Sequence, residues 1–214
     1  MTRENSLSPP SSGHAPTSAD FERSLAGLAP KRLEGGDRPA AVALILRDAS
    51  HGAEILLIQR AQRDGDPWSG HISFPGGRWS QEDSDLEATA CRETLEEVGL
   101  DLSACARRLG ALDDLPAIGN AQRQGFFVRP LVFALEAPVE PHTSDEASAL
   151  LWAPLSELAS GARRTIHRWH RPDGRSLDLP AFGVGGHVVW GMTFRMLEAL
   201  LRTLQSPPSP WAGP

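Results

Sequence analysis

Residues 76–100 read GGRWSQEDSDLEATACRETLEEVGL, and this stretch decides how the rest of the chain is interpreted. Its second half predicts a helix over residues 85–98, which Gly99 ends because glycine readily adopts the left-handed backbone of a helix stop. At roughly 100° per residue around the axis, an apolar face and an acidic face separate. The apolar face is predicted to contain Ala88, Cys91, Leu95 and Val98, and the acidic face Glu93, Glu96 and Glu97. The apolar face is expected to pack on a sheet or core.

The acidic face indicates a cation site. Glu93 and Glu97 are like charges four residues apart, an arrangement that destabilises a helix slightly. Arg92 offsets part of this repulsion by pairing with Glu96, but the face keeps a net negative charge. Hard divalent ions such as Mg²⁺ or Mn²⁺ are bound by oxygen ligands of this kind, often together with substrate phosphates. A solvated acidic face is the commoner interpretation of a Glu-rich helix, and the residues before this helix favour the metal site.

The turn before the helix is Phe74-Pro75-Gly76-Gly77. Proline restricts one backbone angle, and the two glycines allow conformations that are closed to other residues. Such a turn can bring the backbone close to a metal ion or a phosphate.

Together these residues resemble a known motif. Residues 92–100, RETLEEVGL, preceded by Gly77, resemble the Nudix box of the Nudix hydrolases, GX5EX7REUXEEXGU. Thr94 stands where an aliphatic residue is usual, Asp83 takes the place of the first glutamate, and eight residues rather than seven separate Asp83 from Arg92. The resemblance implies a metal-dependent hydrolase of diphosphates linked to a nucleoside.

Residues before the box are similar to the coenzyme A diphosphatase branch of that family. The branch places an arginine, a glycine and a Val-Ser-Phe-Pro-Gly-Gly-like run before a box one residue longer than the general form. The matching residues are Arg60, Gly70, the run ISFPGG at 72–77, Asp83 and Thr89-Ala90. This chain departs from the branch in having Trp68 where a histidine is usual, no serine after Arg60 and a loop one residue longer.

The resemblance implies roles for individual residues. The expected ligands of Mg²⁺ or Mn²⁺ are Glu93, Glu96 and Glu97, with the Gly77 carbonyl as a further ligand. The expected catalytic residues are Arg92, which orients Glu96, and a general base, for which Glu96 and Glu146 are alternatives. The expected substrate-binding residues are Arg60, Arg63, Trp68 and Phe74. Arginines can hold phosphate oxygens bidentately, with ordinary surface charge as the alternative, and Trp68 can stack on a base.

Three functions follow from the resemblance. The first is hydrolysis of coenzyme A or acyl-coenzyme A to 3′,5′-ADP and (acyl-)4′-phosphopantetheine. The second is the same chemistry on ADP-ribose, a dinucleotide polyphosphate or an oxidised nucleotide. The third is a nucleotide-binding module without catalysis, which predicts missing carboxylates, whereas all three are present.

Composition narrows the class of protein. The chain has 214 residues, 40% of them hydrophobic, which suits one packed domain with tails. A formal charge of −6 argues against nucleic acid as a partner, and the expected partner is a small nucleotide-diphosphate substrate. Two cysteines without zinc-like spacing indicate reduced thiols, and the absence of any apolar run of about 18 residues argues against a membrane span. We therefore expect a cytoplasmic enzyme; the oligomeric state is not indicated.

The pattern of elements predicts an α+β (α/β/α layered) domain, and the resemblance implies the Nudix sandwich, with a mixed central sheet and a catalytic loop-helix. Residues 1–37 are predicted to be mostly disordered with a short helix, 38–204 to form the Nudix domain, and 205–214 to be a Pro-rich tail. Two hairpins are expected, at 40–60 and 164–182. Strand 126–135 carries Pro130, which suggests a sheet edge or bulge. Trp190 is placed on the core face of the last helix, and His167 on the surface.

Overall fold

The computed structural model describes residues 14–33, 39–65, 68–116, 126–170 and 174–205. The disorder predicted for the first 13 residues, the boundary at 37/38 and the Pro-rich tail from residue 206 lie outside the described residues. So do part of the loop after Arg63, at residues 66–67, and part of the second hairpin turn, at 171–173. The predicted division into domain and tails therefore stays a prediction.

Five helices and eleven strands are described. The helices are α1 Ser18–Leu25, α2 Leu86–Val98, α3 Leu102–Cys105, α4 Leu155–Ala159 and α5 Gly191–Thr203. The strands are β1 Ala40–Ala49, β2 Gly52–Arg60, β3 Ile72–Ser73, β4 Gly76–Arg78, β5 Ala106–Ala111, β6 Leu115–Pro116, β7 Phe127–Leu135, β8 Ala147–Pro154, β9 Arg164–His170, β10 Ser176–Val184 and β11 His187–Val189. The predicted helix over residues 85–98 and both predicted hairpins are confirmed. No described helix is both long and apolar enough to cross a membrane.

The central sheet is mixed. Its main path runs β3-β2-β1-β7-β5, with β8 paired to β2, β4 to β1 and β6 to β7. The β1–β7 pair is parallel and the other pairs are antiparallel. Because β4 is held against β1, the turn that precedes α2 is built into the sheet.

Side chains alternate across the sheet and fill two cores. On β1, Leu44 and Leu46 face the core shared with α1, α4 and α5, whereas Ala43 and Ile45 face the core shared with α2 and α3. The sheet is thus covered on both faces. This confirms the predicted α/β/α layered, α+β fold class.

Of the two alternatives predicted from Pro130, a sheet edge or a bulge, the edge is wrong. Its strand β7 lies inside the sheet, between β1 and β5. Pro130 accepts a hydrogen bond from the N–H of Leu112, which lies in the gap where β5 has ended and β6 has not begun. Proline is tolerated here because no ladder partner on that side needs its missing N–H.

The short helix expected near Phe21 is α1, and it packs on the domain. Phe21 is fully buried in the core. The Ser24 hydroxyl lies 2.8 Å from that of Thr203 on α5, and the N–H of Ala53 donates to the carbonyl of Pro16. This part of the N-terminal segment therefore belongs to the folded structure.

A second sheet, β11-β10-β9, lies beside the start of α5. The hydroxyl of Thr193 on α5 donates to the carbonyl of Ile72 on β3 at 3.1 Å. This bond connects the last helix to the strand that leads into the Gly76-Gly77 turn. The small sheet is thereby placed near the loop that precedes the turn.

Candidate active site

Helix α2 has well-formed ends. Asp85 is its N-cap, and its carboxylate accepts hydrogen bonds from the N–H groups of Glu87 and Ala88. Gly99, with a φ of 70°, ends the helix. Because both ends of α2 are defined in this way, its charged residues keep a constant position relative to the sheet.

The predicted apolar face of α2 is confirmed at Val98, which is fully buried, and Cys91 packs against the same core, but it is wrong at Leu95. Leu95 is 50% exposed, whereas Glu97 is only 3% exposed. The buried residues are Leu86, Thr89, Ala90, Thr94, Glu97 and Val98. The helix is rotated toward this mixed face because Glu97 finds a hydrogen-bond donor in the turn beneath it, which offsets part of the cost of burying a carboxylate.

That donor is the Gly76 N–H, which lies 2.8 Å from Oε2 of Glu97. Gly76 has a φ of 143°, and a Cβ there would lie 2.3 Å from the backbone oxygen of Ala41. A Cβ on Gly77 would lie 2.5 Å from the carboxylate of Glu93. Gly76 is therefore required for the turn to pass beside β1, and Gly77 leaves room for the carboxylate of Glu93.

Arg92 is the centre of an ionic network. Its Nε and Nη2 donate to the two oxygens of Asp83, each at 2.9 Å. Its Nη1 lies 3.0 Å from Glu93 and 3.2 Å from Glu96. The predicted pairing with Glu96 is present, but the bidentate partner is Asp83, whose side chain is 4% exposed.

The role of Asp83 was missed from the sequence. Hydrogen bonds from Arg92 hold the pKa of its carboxyl well below the usual range, with further bonds from the Ser80 N–H and the Thr89 hydroxyl. Asp83 thus anchors Arg92, and Arg92 in turn orients two glutamates. The only sequence signal was the position of Asp83 in the place of the first motif glutamate.

The glutamates share one electrostatic environment. Burial raises the pKa of Glu97 to about 7, and the charges of Glu93 and Glu146 add to this effect, against the Gly76 N–H and Arg60. Burial also raises the pKa of Glu93, with contributions from Glu96 and Glu146. Carboxylates from α2 and from residue 146 are therefore brought together, although they are distant in sequence.

Arg60, Arg63 and Glu146 lie on neighbouring segments at the end of β2. Arg60 is opposite Ala147 on β8, and the Ala61 N–H donates to the Glu146 carbonyl at 2.8 Å. Nη2 of Arg63 lies 3.1 Å from Oε1 of Glu146. Two expected phosphate-binding arginines thus flank an expected catalytic carboxylate.

Phe74 is placed differently from the expectation. Its side chain is buried in the core with residues of β1 and α5, so it cannot contact a substrate. The buried side chain of Phe74, next to Pro75, instead anchors the turn to the core. The predicted substrate contact of Phe74 is therefore wrong.

Trp68 lies on the surface, with 42% of it exposed, and begins an aromatic cluster that was missed. Its ring meets His71 edge-on at 5.5 Å, and His71 lies 5.2 Å from Trp190. His167 stacks on Trp190 at 4.2 Å, and Trp169 lies 6.5 Å from it. Trp190 is half-buried at the N-cap of α5 rather than part of its core face. The alternation of His167 and Trp169 along β9 was the available signal.

The carboxylates fit a hard divalent cation. All the expected ligands offer oxygen, and a cation would stabilise the ionised forms of Glu93 and Glu97, whose pKa values are raised by burial and, to a smaller extent, by neighbouring carboxylates. Among the described residues, no three His, Cys, Asp or Glu side chains already form a ligand set.

Comparison of this chain with known proteins assigns it to one protein family. The model of the NUDIX domain matches residues 37–177. Human mitochondrial coenzyme A diphosphatase NUDT8 is 31% identical over 186 residues, 85% of this chain and 75% of the human protein. An uncharacterised protein of Schizosaccharomyces pombe is 42% identical over 109 residues, 49% of this chain and 32% of the yeast protein, so the match spans about a third of that relative. The crystal structure of a NUDIX hydrolase from Alicyclobacillus acidocaldarius, 20% identical, aligns with a TM-score of 0.45 over 79% of this chain and 93% of that one.

Proposed function

This chain belongs to the NUDIX domain family, and on that premise we propose that it hydrolyses the diphosphate bond of coenzyme A or acyl-coenzyme A. The products would be 3′,5′-ADP and 4′-phosphopantetheine or its acylated form. Family membership confirms the predicted resemblance, and with it a hydrolase that acts on pyrophosphate bonds in nucleoside diphosphate-linked substrates.

One observation supports the proposal: the carboxylates of Glu93, Glu97 and Glu146 lie in one electrostatic environment. Arg60 and Arg63 lie beside them. Nudix hydrolases generally need a divalent metal ion, usually Mg²⁺ or Mn²⁺. Glu93, Glu96, Glu97 and the Gly77 carbonyl are the groups that would hold it. When bound, such an ion neutralises phosphate charge and lowers the pKa of a coordinated water.

The chain's own residues provide the remaining chemistry. Arg60 and Arg63 would donate to phosphate oxygens, which would orient the diphosphate for attack. Arg92, held by Asp83, fixes the orientation of Glu93 and Glu96. In the reaction, the oxygen of water bonds to phosphorus, the bridging P–O bond breaks, and the leaving phosphate takes the electron pair.

We assign Glu146 as the general base in preference to Glu96. Glu96 is an expected ligand of the metal ion, and its carboxylate is also contacted by Arg92 at 3.2 Å. The charge of Glu146 acts on both Glu93 and Glu97, and its ion-pair partner Arg63 is on the surface, where it can turn to a phosphate. Glu146 is therefore the carboxylate that lies near the expected metal ligands without being one of them.

Replacing Glu146 by Gln is expected to lower kcat about 10²-fold with little change in KM, since a general base contributes at least that much. Steady-state kinetics across pH 5–9 would check this, with Asp145→Asn as the control from the same loop. If Glu96→Gln removed the acidic limb of the pH profile and Glu146→Gln did not, the assignment of the base would be reversed.

Coenzyme A as substrate is supported by two features. Residues 60–77 resemble the loop of the coenzyme A diphosphatase branch, and a human relative bears that name. ADP-ribose is the second candidate, because Trp68 takes the place of the usual histidine and offers an exposed aromatic ring beside Arg63.

Product analysis distinguishes these substrates. The purified chain with Mg²⁺ or Mn²⁺ would be given coenzyme A and ADP-ribose in parallel, and the products resolved by chromatography. We expect release of 3′,5′-ADP with a higher kcat/KM for coenzyme A. Preferred turnover of ADP-ribose would keep the diphosphatase chemistry and reject the coenzyme A proposal.

A further inference from the structure

A row of aromatic rings runs from the loop after β2 to the small three-stranded sheet. Trp68, His71 and Trp190 follow one another at centroid distances of 5.5 and 5.2 Å. His167 and Trp169 reach Trp190 from β9. These five residues, here called the aromatic row, come from three separate parts of the chain.

The aromatic row begins next to the diphosphate site. The Arg60 N–H donates to the His71 carbonyl, and the Gly70 N–H donates back to the Arg60 carbonyl, both at 3.0 Å. On the opposite side of the same strand, Ala61 bonds to Glu146. Neighbouring strands lie about 5 Å apart, and the strand of Arg60 has one neighbour on each side. The backbone at His71 and the backbone at Glu146 are therefore roughly 10 Å apart, with Arg60 between them.

The stacked pair of the aromatic row is His167 on Trp190, and it carries no charge at neutral pH. Burial lowers the pKa of His167, with a contribution from His170, so the imidazole that stacks on Trp190 is neutral at neutral pH. A planar uncharged ring is the complement of such a surface. Phosphate charge is met instead by Arg60 and Arg63, at the end of the aromatic row nearest Glu146.

We propose that the aromatic row, entered at Trp68, is the binding site for the purine base of the nucleoside diphosphate substrate. The inference rests on the proposed function in one respect, namely that the diphosphate of the same substrate lies at Glu93, Glu97 and Arg60. The base stacks against Trp68, and the remaining rings hold that side chain in place. Trp68 is thus a specificity-determining residue, and its contribution is to binding rather than to the bond-breaking step.

Ligand-observed NMR titration of the full chain tests this with three probes. AMP carries base, ribose and phosphate, ribose 5-phosphate lacks the base, and 4′-phosphopantetheine presents the other half of coenzyme A. We expect Trp68→Ala to weaken AMP binding about 10-fold or more, the amount typical of one base–aromatic stack. Ribose 5-phosphate and 4′-phosphopantetheine should be unaffected, and Trp68→Phe should restore most of the AMP affinity.

Ile166→Ala is the matched control. Ile166 is 66% exposed on β9, one residue from His167, so its side chain points to the other face of that strand. It should leave all three affinities unchanged. Unchanged AMP binding by Trp68→Ala, an equal loss for ribose 5-phosphate, or a loss confined to 4′-phosphopantetheine would each overturn the assignment.

This experiment is separate from the test of the proposed function. AMP contains no diphosphate bond, so its binding requires no turnover. A chain that binds AMP through Trp68 but hydrolyses neither coenzyme A nor ADP-ribose would keep the base site and reject the proposed substrates. A chain that hydrolyses coenzyme A but binds AMP equally well without Trp68 would keep the proposed substrate and reject the base site.

Discussion

Replacing Glu97 by Gln is expected to lower kcat/KM by about 10³-fold or more while leaving the protein folded. Stabilisation of transition-state charge at a metal site contributes several kcal/mol, and this substitution removes one expected ligand charge. Glutamine keeps the volume of the side chain and an oxygen that can accept the Gly76 N–H. Steady-state kinetics with saturating Mg²⁺ would measure the effect.

The matched control for this variant is Glu87→Gln, on the same helix and paired with Arg108 at the surface. It removes the same charge far from the turn and should retain wild-type kcat/KM. Wild-type turnover by Glu97→Gln would reject Glu97 as a metal ligand. An equal loss in both variants would point to a general effect of helix charge instead.

The same substitution should change how stability depends on pH in the metal-free protein. The folded-state pKa of Glu97 is raised from 4.5 to about 7. A raised carboxyl pKa means that the protonated form is favoured on folding, so its stability contribution is present below pH 4.5 and is lost as pH rises to 7. With chelator present, the free energy of unfolding of the wild type should fall by roughly 3 kcal/mol more than that of Glu97→Gln as the pH rises through this range.

Urea denaturation at pH 5 and pH 8 would measure this difference. Glu97→Gln should be the more stable protein at pH 8, although it is the less active one. That combination is expected when a group is kept for function at a cost in stability. Parallel pH profiles for the two proteins would show that Glu97 is not held in an unfavourable ionised state.

Replacing Arg92 by Ala is expected to lower the free energy of unfolding by about 3 kcal/mol. The substitution leaves the nearly inaccessible carboxylate of Asp83 without its bidentate partner, and a buried charge without its partner is strongly destabilising. This loss is at the low end of the range for breaking a buried ion pair, because the Ser80 N–H and the Thr89 hydroxyl still donate to Asp83. Activity should fall a further 10- to 100-fold at constant folded fraction, as Glu93 and Glu96 lose their orienting contact.

A double-mutant cycle with Asp83→Asn isolates this contact. The double variant should regain most of the lost stability, because the unpaired charge is gone, but not the activity. Arg92→Lys should remain impaired, since a lysine cannot make the two parallel bonds of a guanidinium. Arg108→Ala, which breaks an exposed pair with Glu87, is the control and should cost no more than about 0.5 kcal/mol. Strict additivity of Arg92→Ala and Asp83→Asn would contradict the proposed anchor.

Local patterns predicted much of this protein. The 85–98 helix, the glycine turn and both hairpins follow from capping residues, turn residues and hydrophobic runs, which act over a few positions. The charges at Arg92, Glu93, Glu96 and Glu97 could be assigned to one helix for the same reason. Their family resemblance was visible because the spacing of the motif is continuous in sequence.

Other features depended on partners distant in the chain. The direction in which α2 faces was mispredicted because hydrophobicity alone favoured Leu95, whereas the Gly76 N–H draws the carboxylate of Glu97 inward. Pro130 could lie inside the sheet because β5 and β6 leave a gap beside it. Phe74 became part of the core because its neighbours on β1 and α5 cover it.

The sequence by itself therefore determined the helix, its charges, the glycine turn and the family. Only the tertiary structure decided that Asp83 anchors Arg92, that Glu146 joins the glutamates of α2, and that Trp68 and Trp190 share one aromatic row. Short-range capping and turn preferences are encoded residue by residue. Ion pairs and ring contacts between distant segments arise only when the sheet brings those segments together, and the energy of each contact depends on the burial that results.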